Sequence, residues 1–200
     1  HDALPIYGWF GERSNEHAGL GDWFANTKRL PQGITGLSKK IGEIGMKFGL
    51  WFEPEMVNKD SDLYRQHPDW IIAAPERRQS HGRFQYVLDF SRTEVVDYIY
   101  SMMETLLSDA DISYIKWDMN RSITECFSNT LPADRQGEVY HRYILGVYEL
   151  YERLIGRFPQ ILFESCASGG GRFDPGMLYY APQGWTSDDT DAMERLKIQY

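Results

Sequence analysis

The sequence predicts an α/β chain of the (β/α)₈ TIM-barrel type, incomplete, with roughly the third to seventh strands present. Three observations carry this reading. Apolar runs alternate with stretches of helical period, the pattern of parallel strands joined by helical crossovers. The polar residues that could do chemistry follow the apolar runs, as they do where a site sits at the C-terminal ends of barrel strands. Five strand candidates fit in the 200 residues, whereas a complete barrel takes roughly 250. Residues 1–200 read as one partial (β/α)₈ domain, with no linker that marks a second.

The strand candidates are Phe48 to Glu53, Gln85 to Phe90, Tyr114 to Asp118, Ile161 to Glu164 and Gly184 to Ser187. Each is a short apolar or aromatic run that stops at polar residues. Between them, Ile34, Leu37, Ile41, Ile44 and Phe48 recur at helical spacing. So do Val95, Ile99, Met102 and Leu106, then Tyr140, Ile144, Val147, Tyr151, Leu154 and Phe158. Ser91 or Thr93 is a candidate cap for the second of these helices. A last helix is expected to start near Thr190, where Asp191 and Glu194 suit the positive N-terminal end of a helix dipole.

Composition narrows the partners. Asp and Glu number 29 against 21 Lys and Arg, a net charge of −8. Binding to nucleic-acid phosphates needs clustered cations, and no Lys/Arg stripe occurs. The 13 Tyr, 10 Phe and 6 Trp suit both a packed core and the apolar C–H faces of sugars. Cys126 and Cys166 lack CxxC or metal-type spacing, so a disulfide scaffold is not expected and a reduced, cytoplasmic setting is. No leader-like stretch or membrane-length apolar run is read, which points to a soluble chain without a membrane partner. The five histidines show no ligand spacing, so neither a metal nor another cofactor is expected.

Two aspartate motifs carry the candidate chemistry. In Tyr114-Ile115-Lys116-Trp117-Asp118-Met119-Asn120, strand alternation puts Lys116, Asp118 and Asn120 on one face and Trp117 and Met119 on the other. Lys116 would hold the Asp118 carboxylate ionised, as a nucleophile requires; the alternative is a strand-end salt bridge. In Gly184-Trp185-Thr186-Ser187-Asp188-Asp189-Thr190-Asp191-Ala192, Asp188 is the candidate general acid/base, with Trp185 able to pack beside it if the loop turns. Asp189 and Asp191 are rivals, as a loop brace and a helix cap, and residue chemistry alone leaves the three open. Two carboxylates delivered to one mouth are the minimum for cleaving a glycosidic bond.

Between the motifs lies Glu164-Ser165-Cys166-Ala167-Ser168-Gly169-Gly170-Gly171-Arg172-Phe173-Asp174. Its three glycines allow close backbone approach to a ligand, but the GxxxxGK[ST] phosphate-loop pattern is absent. Cys166 has no histidine nearby in sequence to activate it and is read as lining the pocket. Trp51 could stack on a sugar or belong to the core. Arg83 could bond sugar hydroxyls or make a surface pair. Glu53 and Glu55 are further carboxylates without an assigned role.

Taken together, GWFGER, LGDWFAN, LWFEPEMVN, HPDW, YVLDFSR, YIKWDMNR, ESCASGGGRFDPGMLYYAPQ and WTSDDTDAMERLKIQY run in order from Gly8 to Tyr200. In these stretches the chain resembles the bacterial α-galactosidases of glycoside hydrolase family 36. The resemblance implies a (β/α)₈ catalytic domain that releases terminal α-galactose, with retention, from melibiose- or raffinose-type α-galactosides, without a cofactor. It implies Asp118 as nucleophile and Asp188 as acid/base, with Trp51, Arg83, Lys116, Asn120 and Cys166 as galactose contacts. It also implies a homo-oligomer for the full-length enzyme. The alternatives are an α-N-acetylgalactosaminidase or galactosyl transferase of the same mechanism, or a sugar-binding barrel piece without catalysis. One departure stands out: the family places an aspartate pair before GWFG, where this chain has Ile6 and Tyr7.

Overall fold

The computed structural model describes residues 8–199, so Ile6 and Tyr7 lie outside the described residues. The first half of the chain forms α1 (Gly33–Glu43), β1 (Gly49–Phe52), β2 (Met56–Val57), α2 (Asp62–Gln66) and β3 (Tyr86–Val87). The second half forms α3 (Thr93–Asp109), β4 (Tyr114–Trp117), α4 (Val139–Arg157), β5 (Leu162–Ser165), α5 (Pro175–Tyr180), β6 (Gln183–Gly184) and α6 (Ala192–Ile198). Strands β1, β4, β5 and β6 make one parallel sheet in that spatial order. The order follows the chain and never doubles back.

One expected strand goes elsewhere. Gln85–Phe90 contributes only Tyr86 and Val87, which pair antiparallel with Met56 and Val57. The physical reason lies at the end of β1. Pro54, two residues past β1, lacks the N–H that a continued ladder would need. The chain leaves the sheet there and offers Met56–Val57 as a new edge. A turn at Gly82–Gln85, with Arg83 and Phe84 both at positive φ (52° and 58°), brings β3 back onto that edge.

The two faces of the parallel sheet differ as strand alternation requires. Leu50, Phe52, Ile115, Trp117 and Phe163 are buried on the helix side. There the Tyr151 ring of α4 stacks on Trp117 at 4.0 Å between centroids and meets Phe163 edge-on at 5.8 Å. Helix α3 buries Val95, Val96, Ile99, Met103, Leu106 and Leu107; of the expected Val95, Ile99, Met102 and Leu106, Met102 is only partly buried and Met103 takes the core position. Helix α4 crosses close to the segment before α3: a Cβ on Gly146 would stand 1.9 Å from the Phe90 carbonyl oxygen, so only glycine fits.

Three helix details differ from expectation. Helix α1 ends at Glu43 and turns through Gly45 (φ 76°), leaving Ile44 outside it and 68% exposed. At α3 the N-cap is Arg92, without a side-chain cap bond, because Ser91 turns its hydroxyl to Asp89 and Thr93 lies inside the helix. Tyr140 of α4 is exposed, and the buried ring of that turn is Tyr143. At α6, Asp191 caps as expected, accepting from Met193 and Glu194 N–H groups, and Glu194 lies in the first turn.

The segments meet at a buried ion pair. Glu55, fully buried after β1, accepts from Arg172 Nη1 and Nη2 at 2.9 and 2.8 Å. It also accepts from Trp117 Nε1 at 2.8 Å and from the Tyr143 hydroxyl. Removing one member of such a pair leaves an uncompensated buried charge. Arg172→Ala in the full-length protein should therefore cost about 3–5 kcal/mol of unfolding free energy, read as a lowered urea midpoint.

Candidate active site

The parallel ladder continues one residue past each strand. Asp118 N donates to Phe52 O at 2.8 Å, Cys166 N to Trp117 O at 2.8 Å, and Trp185 N to Ser165 O at 2.9 Å. Glu53, Asp118, Cys166 and Trp185 thus follow directly on the C-terminal ends of β1, β4, β5 and β6. Polar side chains delivered to one mouth are a consequence of parallel register.

Asp118 is buried and held by three N–H donors. Trp51 Nε1 and Asn120 Nδ2 reach its Oδ2 at 3.1 and 2.7 Å, and its own neighbour Met119 N reaches Oδ1 at 2.9 Å. The Trp51 ring stacks 6.2 Å from Phe10 and lies 6.2 Å from Trp23. It therefore joins the aromatic core while its indole N–H edge serves the site.

Lys116 does not pair with Asp118. Register sets Trp51, Lys116, Glu164 and Gln183 in one row across the sheet. The Lys116 ammonium lies 3.8 Å from Glu164 Oε1 and 4.2 Å from the centre of the Trp185 ring. Glu164 is nearly inaccessible and is braced by the Tyr114 hydroxyl and by Gln183 Nε2 at 2.7 Å. The cross-strand carboxylate takes the lysine because it is its direct neighbour in register.

The second motif turns as its tryptophan required. Trp185 Nε1 donates to Asp188 Oδ1 at 2.8 Å, and Asp188 itself is exposed. Asp189 accepts from Asp191 N at 3.0 Å, so it braces the loop while Asp191 caps α6. The route between the motifs is thus Asp118 to its strand-mate Lys116, then to the Trp185 ring and on to Asp188. The glycine run also works differently from expectation. Gly169 (φ 93°) approaches the chain itself: an added Cβ would meet Thr186 O at 2.7 Å, and Gly170 N donates to Thr186 O at 3.0 Å. The glycines seat the Asp188 loop against the loop after β5.

Cys166 is buried, and burial foremost, with Asp118 next to it, pushes its thiol up to about 12. It lines the site as a neutral group. Arg83 is exposed in its left-handed turn, where its charge lies near Glu53 and favours the ionised form of that carboxyl. Glu53 itself is fully buried. Its Oε1 accepts Asn120 N at 2.6 Å and its Oε2 accepts Gln85 Nε2 at 3.0 Å. Glu53, Glu164 and Gln85 carry no role in the sequence reading. The signal available for Glu53 was its two-residue spacing from Trp51, which puts both on one strand face. Glu164 could be found only through strand register.

Among the described residues, no group of three His, Cys, Asp or Glu side chains could hold a metal, and no helix is long and apolar enough to cross a membrane. Both cysteines are free.

Comparison with known proteins follows the same lines. Residues 6–200 match the family model described as Melibiase. The α-galactosidase AgaA of Geobacillus stearothermophilus is 58% identical over 96% of this chain and 26% of its own length. Mel36A of Lactobacillus acidophilus is 52% identical over the same shares. The crystal structure of the G. stearothermophilus glycoside hydrolase family 36 enzyme AgaA superposes with a TM-score of 0.94 at 57% identity, over 97% of this chain and 27% of that one. Variants of AgaA have been solved with raffinose and with stachyose. The chain spans about a quarter of the length of the curated relatives it matches.

The cysteine environments give a test. At pH 8, iodoacetamide should alkylate exposed Cys126 and leave Cys166 unmodified in folded protein, since the thiolate is the reactive form. Mass mapping of the labelled peptides reads the outcome, and equal labelling of both would contradict the placement of Cys166.

Proposed function

The chain belongs to the melibiase family, and on that premise we propose that it is part of the catalytic domain of a retaining α-galactosidase. The observation that carries the reading is the Asp118 carboxylate, buried at the end of a parallel strand and met only by donors, with Asp188 on the loop two strands away. Residues 8–199 read as part of a single (β/α)₈ barrel domain whose wall here is four consecutive strands, one fewer than the expected third to seventh, since β1 pairs directly with β4. The unreversed order β1-β4-β5-β6 supports that architecture, with the β2–β3 ribbon standing outside the wall in place of one expected strand.

In the proposed reaction, Asp118 attacks the anomeric carbon while Asp188 protonates the departing glycosidic oxygen; Asp188 then activates a water that hydrolyses the galactosyl-enzyme. Retention by this route places the two carboxyl groups about 5–5.5 Å apart. The hydrogen bond from Trp185 occupies Asp188 Oδ1 and leaves Oδ2 for the proton. Trp51 and Asn120 orient the nucleophile, and Cys166 packs beside it without reacting. Lys116, anchored by Glu164, and Arg83, at the rim, are available to galactose hydroxyls. No cofactor takes part in these steps. The substrates are α-galactoside oligosaccharides of the melibiose and raffinose type, in keeping with the sugars seen on AgaA variants. The full-length enzyme is a cytoplasmic homo-oligomer that needs neither nucleic acid nor membrane.

Asp118→Ala in the full-length protein should lower kcat on an aryl α-galactoside by about a thousandfold or more while the melting temperature holds. Azide should restore part of the turnover as a β-galactosyl azide. Undiminished activity of Asp118→Ala would remove the nucleophile assignment. Proton NMR of the first-formed sugar should show α-galactose, and β-galactose would exclude retention.

A further inference from the structure

We propose that Glu53 is a positioning residue for this reaction: a neutral carboxylic acid whose Oε1 fixes the Asn120 main chain so that the Asn120 amide reaches the Asp118 nucleophile. The inference rests on the reading of Asp118 given above. Asn120 is held by its backbone N–H on Glu53 Oε1 at 2.6 Å and by its side-chain amide on Asp118 Oδ2 at 2.7 Å, and its Oδ1 accepts from the exposed Ser168 hydroxyl at 3.4 Å. Of these contacts, the one to Glu53 is buried and is the one made to the Asn120 main chain. Glu53 is 0% exposed and one residue past β1, beside Asp118 one residue past β4.

Two carboxylates in adjoining buried positions do not both ionise unless a cation intervenes. The charged groups that face Glu53 are Asp118 from β4, Arg83 from the turn before β3 and Arg13 from the loop before α1. Neither arginine forms an ion pair with it among the described residues. Arg13 directs its Nη1 to the Ala18 and Glu16 carbonyls and to Asn58 Oδ1, and it acts on Glu53 only through its charge. The other neighbours, Asn120 and Gln85, are uncharged. Burial first, then the Asp118 charge, push the Glu53 carboxyl up to about 8. As placed, the Gln85 amide donates from Nε2 to Glu53 Oε2 and leaves its own Oε1 buried without a partner among the described residues, whereas the flipped amide suits a protonated Glu53. Its carbonyl oxygen would then accept the acid proton across the same 3.0 Å.

The consequence for stability has a definite sign. A carboxyl that is ionised above 4.5 when free and only above about 8 when folded keeps its proton in the folded state alone. The contribution of Glu53 is thus fully present below the lower value and is lost as pH rises towards the upper one.

Three variants of the full-length protein test this. Glu53→Gln keeps a neutral acceptor for Asn120 N–H and should retain kcat at pH 6 within about threefold, whereas Glu53→Leu should lose about a hundredfold with little change in KM. Azide should not rescue Glu53→Leu, although it rescues Asp118→Ala. The melting temperature of the parent relative to Glu53→Gln should fall between pH 5 and 8 and level off above. Should Glu53→Gln fail to accumulate, infrared spectroscopy of the parent at pH 7 should still show a protonated-carboxyl C=O band that disappears above about pH 8. A Glu53→Gln enzyme as crippled as Glu53→Leu, a pH-independent melting difference, or absence of that band overturns the proposal. Turnover by Asp118→Ala would instead overturn the nucleophile reading and leave the melting comparison standing.

Discussion

The carboxylate of Glu55 is the point on which the framework of the site depends. Four separate segments end there: the loop after β1 that carries it, Trp117 of β4, Tyr143 of α4, and Arg172 of the loop after β5. Two opposite charges taken out of water are stable only if their geometry is close and their remaining valences are filled. Here the guanidinium grips both carboxylate oxygens, and an indole N–H and a phenol complete the carboxylate's shell, while Arg172 Nε alone of the pair is left without a partner among the described residues. Burial works against the Arg172 cation, but Glu55 outweighs it and holds its pKa above the ordinary value. Burial, reinforced by Glu55, likewise keeps Tyr143 protonated as a donor. Because the partners come from different crossovers, the pair ties the helix layer to the strand ends where the candidate chemistry sits.

Above that framework, parallel register decides which side chains meet. Each strand delivers its first residue past the ladder to the same level, so Glu53, Asp118, Cys166 and Trp185 arrive together although up to 132 residues separate them. One row lower, Trp51, Lys116, Glu164 and Gln183 stand side by side. The contrast between the rows explains why Lys116 lies with Glu164 rather than Asp118. A side chain two residues away in the same strand is about 7 Å along the axis, whereas the registered neighbour is nearer 5 Å across it. The lysine then spans from that carboxylate to the face of Trp185, whose indole N–H is already committed to Asp188. The glycines after β5 complete the arrangement by letting two loop backbones touch at Thr186.

Much of this was legible in the residues. Alternation of apolar runs with helical periods located β1, β4, β5, α3 and α4, and the carboxylates after the runs marked the mouth. The motifs of the sequence were specific enough to identify the family. Asp191 as a helix cap and Trp117 as a core residue followed from local rules, since capping and strand alternation act within a few residues. Other expectations failed where local signals competed. The apolar run at Gln85–Phe90 looks like any sheet strand, but its partner was chosen by Pro54, some thirty residues earlier in the chain.

By itself the sequence determined the family, the parallel α/β pattern and the carboxylates at its strand ends, because periodicity and motif chemistry reside in neighbouring residues. Only the tertiary structure decided that Glu164 takes Lys116, that Glu55 and Arg172 form the buried pair, that Glu53 stands beside Asp118, and that the glycines meet Thr186. These are contacts between residues tens of positions apart or more, set by register and by exclusion of water, and neither is written in any single stretch of chain.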